Sequence, residues 1–274
     1  MIKIFDTHAH YDDSIYDEDR EELFKKMNKE GVSDIALIGA SLDNSEKEKQ
    51  IAKKYNNNTD MPRFYYVVGD HPDEIPKFFP DSEEGINYLK KLESLCYNDD
   101  NKLEAIAIGE IGLDYYGEKK TSEDFELQKQ WFIAEINLAK KLDLPIVVHS
   151  RDACKDTLDI IKSYAKGLTG IIHCFSYEKE VALEYVDMGY CIGVGGVVTF
   201  KNGRKLKEVV EAIPIENIVT ETDAPWLTPM PYRGKRNESD YIKYVIEEIA
   251  KIKNIDIETT AEVLYNNALE VYGL

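Results

Sequence analysis

Residues 145–173 read PIVVHSRDACKDTLDIIKSYAKGLTGIIH. The stretch opens on the run Pro145–His149 and closes on Gly170–His173, with an amphipathic segment, Asp152–Lys166, between them. The cores of the two runs, IVV and GII, are continuously apolar, as expected of parallel strands covered on both faces. One β-α-β unit is therefore legible here, and each of its strands ends on a histidine. Outward from it the same alternation fills the chain. The predicted strands are Ile2–Asp6, Asp34–Gly39, Phe64–Gly69, Ala105–Gly109, Pro145–His149, Gly170–His173, Tyr190–Gly195 and Asn217–Thr220. Helices are predicted over Glu18–Lys29, Asn44–Tyr55, Glu83–Tyr97, Glu123–Leu142, Asp152–Lys166, Lys179–Met188 and Gly203–Ile213, then over Asp240–Ile252 and Ile257–Tyr272. Thr121-x-x-Asp124 fits a helix start, and Gly31 and Gly189 fit helix ends. Eight such units with right-handed crossovers close most naturally into a (β/α)8 TIM barrel, with a doubly wound open sheet as the alternative. The length of 274 residues suits one barrel of roughly 250 residues, and no linker, repeat or low-complexity tract divides residues 1–274.

Composition narrows the classes. No run of about 18 apolar residues occurs, and the start MIKIFDTHAH lacks the basic and apolar regions of a signal peptide. A cytoplasmic protein without a membrane partner is expected. The sequence does not fix the oligomeric state, and a monomer is the working expectation. Cys96, Cys154, Cys174 and Cys191 are scattered without a C-x-x-C pair, so buried free thiols are expected rather than a disulfide framework or a zinc knuckle. The net charge of −18 opposes an extended phosphate-gripping face, so any nucleic acid must be held locally by metals and a few basic loops.

Four of the five histidines fall at predicted strand ends. His8 and His10 form H-x-H on the first strand, where residues two apart point to one side. His149 and His173 end the fifth and sixth strands, Glu110 ends the fourth, and Asp223 follows the eighth. Barrel active sites form at this face, so these residues are expected to converge. Carboxylates and imidazoles packed together without a cation are costly, which points to a metal site. Six ligands exceed the three of a typical catalytic zinc site, so two divalent ions are expected. Glu110 is the candidate bridge, with His8, His10 and Asp223 completing one ion's shell and His149 with His173 the other. Asp223 is also the candidate general base for a metal-activated water. Four imidazoles suit Zn²⁺ in affinity, whereas phosphate chemistry suits Mg²⁺ or Mn²⁺.

The segments FDTHAHYDD, GDHPDEI, AIGEIGLDYY, PIVVHSRDA, GIIHCFSYE, TETDAPWLTP with YRGKRNES, and YNNALEVYG run in order from Phe5 to Gly273. By these the chain resembles the TatD family of metal-dependent deoxyribonucleases, within the amidohydrolase-like barrels. The resemblance implies the ligands already named, with Glu110 shared, and assigns His71 to the scissile phosphate. It implies Mg²⁺-dependent exonuclease activity from the 3′ end of single-stranded DNA. Some relatives instead deacylate D-aminoacyl-tRNA. The turn here reads GDHPDE, and Asp70 and Asp73 bring negative charge to the expected phosphate site. Ser239 stands where proline is common, a change read as without consequence.

Arg151, Lys201, Arg204, Lys205, Arg233, Lys235 and Arg236 lie on the loops of the same face and are expected to meet phosphates. Tyr115, Tyr116, Phe200, Trp226 and Tyr232 share those loops and are candidates for base stacking. A 3′ exonuclease on single strands is thus the leading expectation, with Asp223 and Glu110 catalytic and His71 and Arg151 binding substrate. A D-aminoacyl-tRNA deacylase or other ester or amide hydrolase is the alternative, and a non-catalytic metal-holding barrel the third. No lysine ends the fourth or fifth strand to serve as a carboxylated bridge, which favours the first.

Overall fold

The computed structural model describes residues 2–117 and 120–274. Its strands are β1 Ile4–Ala9, β2 Val32–Ile38, β3 Arg63–Val68, β4 Ala107–Asp114, β5 Ile146–Arg151, β6 Gly170–Ile172, β7 Tyr190–Val194 and β8 Ile218–Thr220. Each pairs in parallel with the next in chain order. The helices are α1 Arg20–Lys29, α2 Leu42–Tyr55, α3 Glu83–Leu95, α4 Ser122–Leu142, α5 Cys154–Tyr164, α6 Lys179–Asp187, α7 Arg204–Ala212, α8 Ile242–Lys253 and α9 Ile257–Tyr272. This is the (β/α)8 TIM barrel, and the open doubly wound sheet is excluded. The seam between β8 and β1 is closed just beyond the strand ends: His10 N–H donates to the Ala224 carbonyl and Asp223 N–H to that of His8, both at 2.9 Å.

Two apolar layers hold the barrel. One gathers Phe5, Ala36, Val67, Val147, Ile171 and Val219 of the strands with Ala268, Val271 and Tyr272 of α9. The larger layer joins the alternate strand residues, such as Ile35, Phe64, Ile108, Val148 and Ile192, to apolar positions of the surrounding helices. The period of two along each strand therefore serves both layers at once, which is why the strand cores read as unbroken apolar runs. Thr121 accepts from the Asp124 N–H at 3.2 Å and Asp124 accepts from that of Thr121 at 2.9 Å, the reciprocal cap expected at the start of α4. Gly31 and Gly189 take φ of 100° and 90° at the ends of α1 and α6.

Two strands depart from expectation where it matters. β1 begins at Ile4 and runs through His8 to Ala9, and β4 runs from Ala107 through Glu110 to Asp114. The register of β4 against β5 slips between Ile108 and Ile111. Gly112 permits this close pairing, since a Cβ there would lie 2.0 Å from the His149 carbonyl oxygen. Glu110 thus sits inside the strand rather than at its end. The four cysteines are free, but only Cys96 and Cys191 are buried; Cys154 and Cys174 are half-buried. No helix among the described residues is long and apolar enough to cross a membrane.

Candidate metal centre

All six expected donors meet at the C-terminal mouth. The Nε2 atoms of His8 and His10 lie 3.1 Å apart, and 3.3 and 3.7 Å from Glu110 Oε2. The other oxygen of Glu110 lies 2.7 Å from His149 Nδ1 and 3.7 Å from His173 Nε2. Glu110 therefore stands between two pairs of imidazoles. Asp223 Oδ1 is 3.9, 3.7 and 3.8 Å from the Nε2 atoms of His8, His10 and His173. It faces both pairs, whereas the sequence had grouped it with His8 and His10 alone. Every one of these side chains except Asp223 and His149 is fully buried.

Carboxylates and a carbonyl on the far side of the rings set their direction. His10 Nδ1 is 3.1 Å from the Ile38 carbonyl oxygen, His149 Nε2 is 3.1 Å from Asp114 Oδ2, and His173 Nδ1 is 3.1 Å from Glu221 Oε2. Each ring is left with its other nitrogen turned inward, the arrangement that orients metal-binding histidines. His8 stacks on His173 with centroids 3.4 Å apart, and its Nδ1 is buried without a partner among the described residues. Asp114 and Glu221 were not picked out by sequence reasoning, although they lie in the GEIGLD and TETDAP segments. Nothing in their spacing indicates that they would reach the outer nitrogen of a histidine.

The donor set fits cations. Two imidazole nitrogens 3.1 Å apart, both facing a carboxylate, leave lone pairs converging on one point. Burial opposes the charge on Glu110, but His8, His173 and His149 hold it well below the usual carboxylate range. Burial likewise works against protonating His149 and His173, yet Asp114 and Glu110 bring the first up to about 9, and Glu221 and Glu110 the second to about 10. Positive charge is favoured at this centre. Asp223 is pushed up by burial to about 6.

The phosphate-contact candidates are arranged less simply. His71 lies in the turn after β3, its ring 4.3 Å from that of His149 between centroids, with its Nδ1 accepting the Asp73 N–H at 3.1 Å. Burial lowers it to about 4, so it is neutral at pH 7. The negative charge expected beside it is withdrawn. Asp70 is buried and turned to Tyr88, whose hydroxyl donates to it at 2.8 Å, and Asp73 is paired with Lys120 at 2.6 Å. Arg151 is exposed at the end of β5, lies 3.7 Å over the Tyr116 ring and has no carboxylate partner among the described residues. Three of the other expected phosphate contacts are committed elsewhere: Arg204 to Glu208, Lys205 to Glu178, and Arg236 to Asp19 and Glu238. Among the aromatics, Tyr115 packs on Phe125 and bonds Asp156, Phe200 is buried, and Tyr232 stacks on Tyr241. Trp226 and Tyr116 remain more than half exposed, and Trp226 sits 5.5 Å from His10. A basin of about 850 Å³ joins these groups, with His10, His71, Glu110, His149, Arg151 and Trp226 among its walls.

Ser239 corrects another expectation. Its hydroxyl donates to Asp6 at 2.6 Å and lies 2.8 Å from the Tyr11 hydroxyl, which also accepts the Ser239 N–H at 3.0 Å. Asp6 in turn accepts from the backbone of His8 and from both the N–H and the hydroxyl of Thr222. The residue thus braces the strand that carries His8, a role proline has no group to fill.

A family profile described as TatD related DNase matches residues 5–273. The chain belongs to this family. It is 37% identical over 272 residues to the metal-dependent hydrolase YabD of Bacillus subtilis, covering 99% of both chains. Its fold matches the crystal structure of YjjV, a TatD homologue from Escherichia coli, with a TM-score of 0.85 and 25% identity over 99% of this chain and 98% of the other. A TatD-family hydrolase from Entamoeba histolytica matches with a TM-score of 0.83 and 26% identity, over 99% and 98% of the two chains. This TatD-family chain is accordingly a metal-dependent hydrolase.

Proposed function

We propose that this TatD-family hydrolase is a 3′–5′ exodeoxyribonuclease acting on single-stranded DNA. Two divalent ions would be held by His8, His10, Glu110, His149, His173 and Asp223, with Glu110 standing between the two imidazole pairs. Mg²⁺ or Mn²⁺ suits the phosphate oxygens of the substrate, and the imidazoles also accommodate Zn²⁺. When bound, the ions supply Lewis-acid activation of a water and neutralise charge on the phosphoryl group.

The observation that carries this reading is the basin. Its floor holds five of the six donors, His10, Glu110, His149, His173 and Asp223, and its wall bears Arg151, a guanidinium without a carboxylate partner among the described residues. A guanidinium grips phosphate oxygens in pairs. Neutral His71, beside His149, carries its proton on Nε2 and has that N–H to offer a phosphate oxygen, because its Nδ1 accepts from Asp73. The position of Asp223 facing both imidazole pairs supports its reading as the base that takes the proton of the attacking water. The exposed Trp226 ring offers a stacking face beside the donors. A chain end enters such a basin at low unstacking cost, whereas an internal linkage must first be bent into it.

End-labelled single-stranded DNA incubated with each metal in turn tests the proposal, beside a D-aminoacyl-tRNA control. Mononucleotide release from the 3′ end is expected, slowed by phosphorothioates at the 3′ but not the 5′ terminus. Efficient cutting of circular single strands, or deacylation without DNA cleavage, overturns it.

A further inference from the structure

Beside the basin lies a second cavity of about 260 Å³, and the two share Cys174, Ser176, Val197, Asp223 and Leu227. The alcove is bounded by the segments after β6, β7 and β8 and by the start of α7. Its inner walls are Phe175, Leu206, Val197 and Leu227, the first two buried. Asn202 and Ser176 stand exposed at its rim.

Two observations mark it as more than a packing defect. The residues at its junction with the basin include three in left-handed backbone: Cys174, Asp223 and Leu227, with φ of 46°, 56° and 56°. Every other non-glycine residue of positive φ among those described is Asn or Asp, which tolerate that region. Cys174 and Leu227 do not, and unfavourable backbone of this kind concentrates where a ligand is handled. The second observation is the charge. Glu221 and Asp223 border the cavity, and Lys205 is bound to Glu178 at 2.7 Å. An anion is excluded, and a flat, uncharged, largely apolar group with a polar edge is favoured.

We infer that the alcove receives the nucleobase of the 3′-terminal nucleotide while its phosphodiester lies over the donor set; the inference rests on the nuclease reading above. The base lies against Phe175, Leu206 and Leu227, and Asn202 and Ser176 meet its polar edge. Its volume admits a ring system, and the carboxylates of Glu221 and Asp223 at its border disfavour the phosphate there, so the alcove registers the terminal base and leaves the next base to the Trp226 face.

Calorimetric binding of deoxyadenosine 5′-monophosphate and of 2-deoxyribose 5-phosphate to the metal-loaded protein tests this. The nucleotide is expected to bind at least about ten-fold tighter, since burial against apolar walls contributes only where a base is present. Val197→Phe, which fills the junction, is expected to bring the two affinities together. Ser176→Phe repeats the test from an exposed position that folding does not depend on. Equal affinities in the wild type, or a nucleotide preference that survives both variants, overturns the alcove, as does a D-aminoacyl amide that competes better than the nucleotide. If single-stranded DNA is not degraded but base-dependent binding is lost in the variants, the alcove stands and the nuclease reading falls. DNA degradation with no base-dependent binding gives the converse.

Discussion

Glu221 grips His173 from behind: one carboxylate oxygen lies 3.1 Å from the His173 Nδ1, while the other accepts the Cys174 N–H at 2.7 Å. The bidentate hold fixes both the ring and the backbone that follows it. Glu221→Gln keeps the shape but removes the charge that raises the basicity of His173. Metal affinity is expected to fall by about 10- to 100-fold with the barrel still folded. Titration of metal into apoprotein, with circular dichroism as the control, reads this directly; unchanged affinity removes Glu221 from the support of the site.

Glu110→Gln probes the centre itself. Glu110 faces imidazoles on both sides, so losing its charge is expected to abolish hydrolysis and to lower metal content while the fold persists. Metal content and activity equal to wild type would rule out the shared position.

Asp70 and Glu135 form a buried acidic pair behind the His71 turn. Burial pushes Asp70 up to about 7 and Glu135 well above the usual range, the latter helped by the charge of Asp70. Both folded values exceed the unfolded ones, which are near 4. The folded state therefore holds protons that the unfolded state releases, and stability is full below pH about 4 and declines as pH rises towards about 7. Asp6, also raised to about 7 by burial, acts in the same direction. Glu135→Gln, whose amide oxygen can still accept the Asp70 N–H, is expected to flatten the fall without abolishing it. Thermal unfolding at pH 5 and pH 8 measures the slope; an unaltered slope in the variant contradicts the assignment.

Ser239→Ala removes a hydroxyl shared by Asp6 and Tyr11 in a fully buried site. The expected loss is about 1–3 kcal/mol, the cost of leaving a buried acceptor short of a partner. Urea unfolding provides the number, and a variant as stable as wild type would return Ser239 to the status of a neutral position.

The salt dependence of cleavage reports how much of the surface meets DNA. Arg204, Lys205 and Arg236 are held by carboxylates, leaving Arg151, Lys201, Arg233 and Lys235 without such a partner among the described residues. If three or all four of these meet phosphates of a single strand, the log–log slope is about −2 to −3. A slope several times steeper would require a basic groove that the net charge of −18 and these pairings oppose.

Eight strands, their order and the six donors were legible in the sequence because each depends on local pattern. An apolar run between amphipathic helices identifies a parallel strand, and the strand end identifies the barrel mouth. The extents of β1 and β4 were not legible, since the slip in β4 depends on Gly112 meeting the His149 carbonyl across the sheet. Nor were the groups that aim the donors. Asp114 reaches His149 across 35 residues, Glu221 reaches His173 across 48, and Ser239 reaches Asp6 across 233. The same holds for charge at the mouth: the sequence shows where Arg236 and Asp73 lie along the chain, but only distance in space decides that Asp19 and Lys120 neutralise them. Periodicity is a property of neighbours in the chain, and it survives in the sequence. Hydrogen bonds and ion pairs act over about 3 Å, so their partners are chosen only when the closed barrel brings remote segments together.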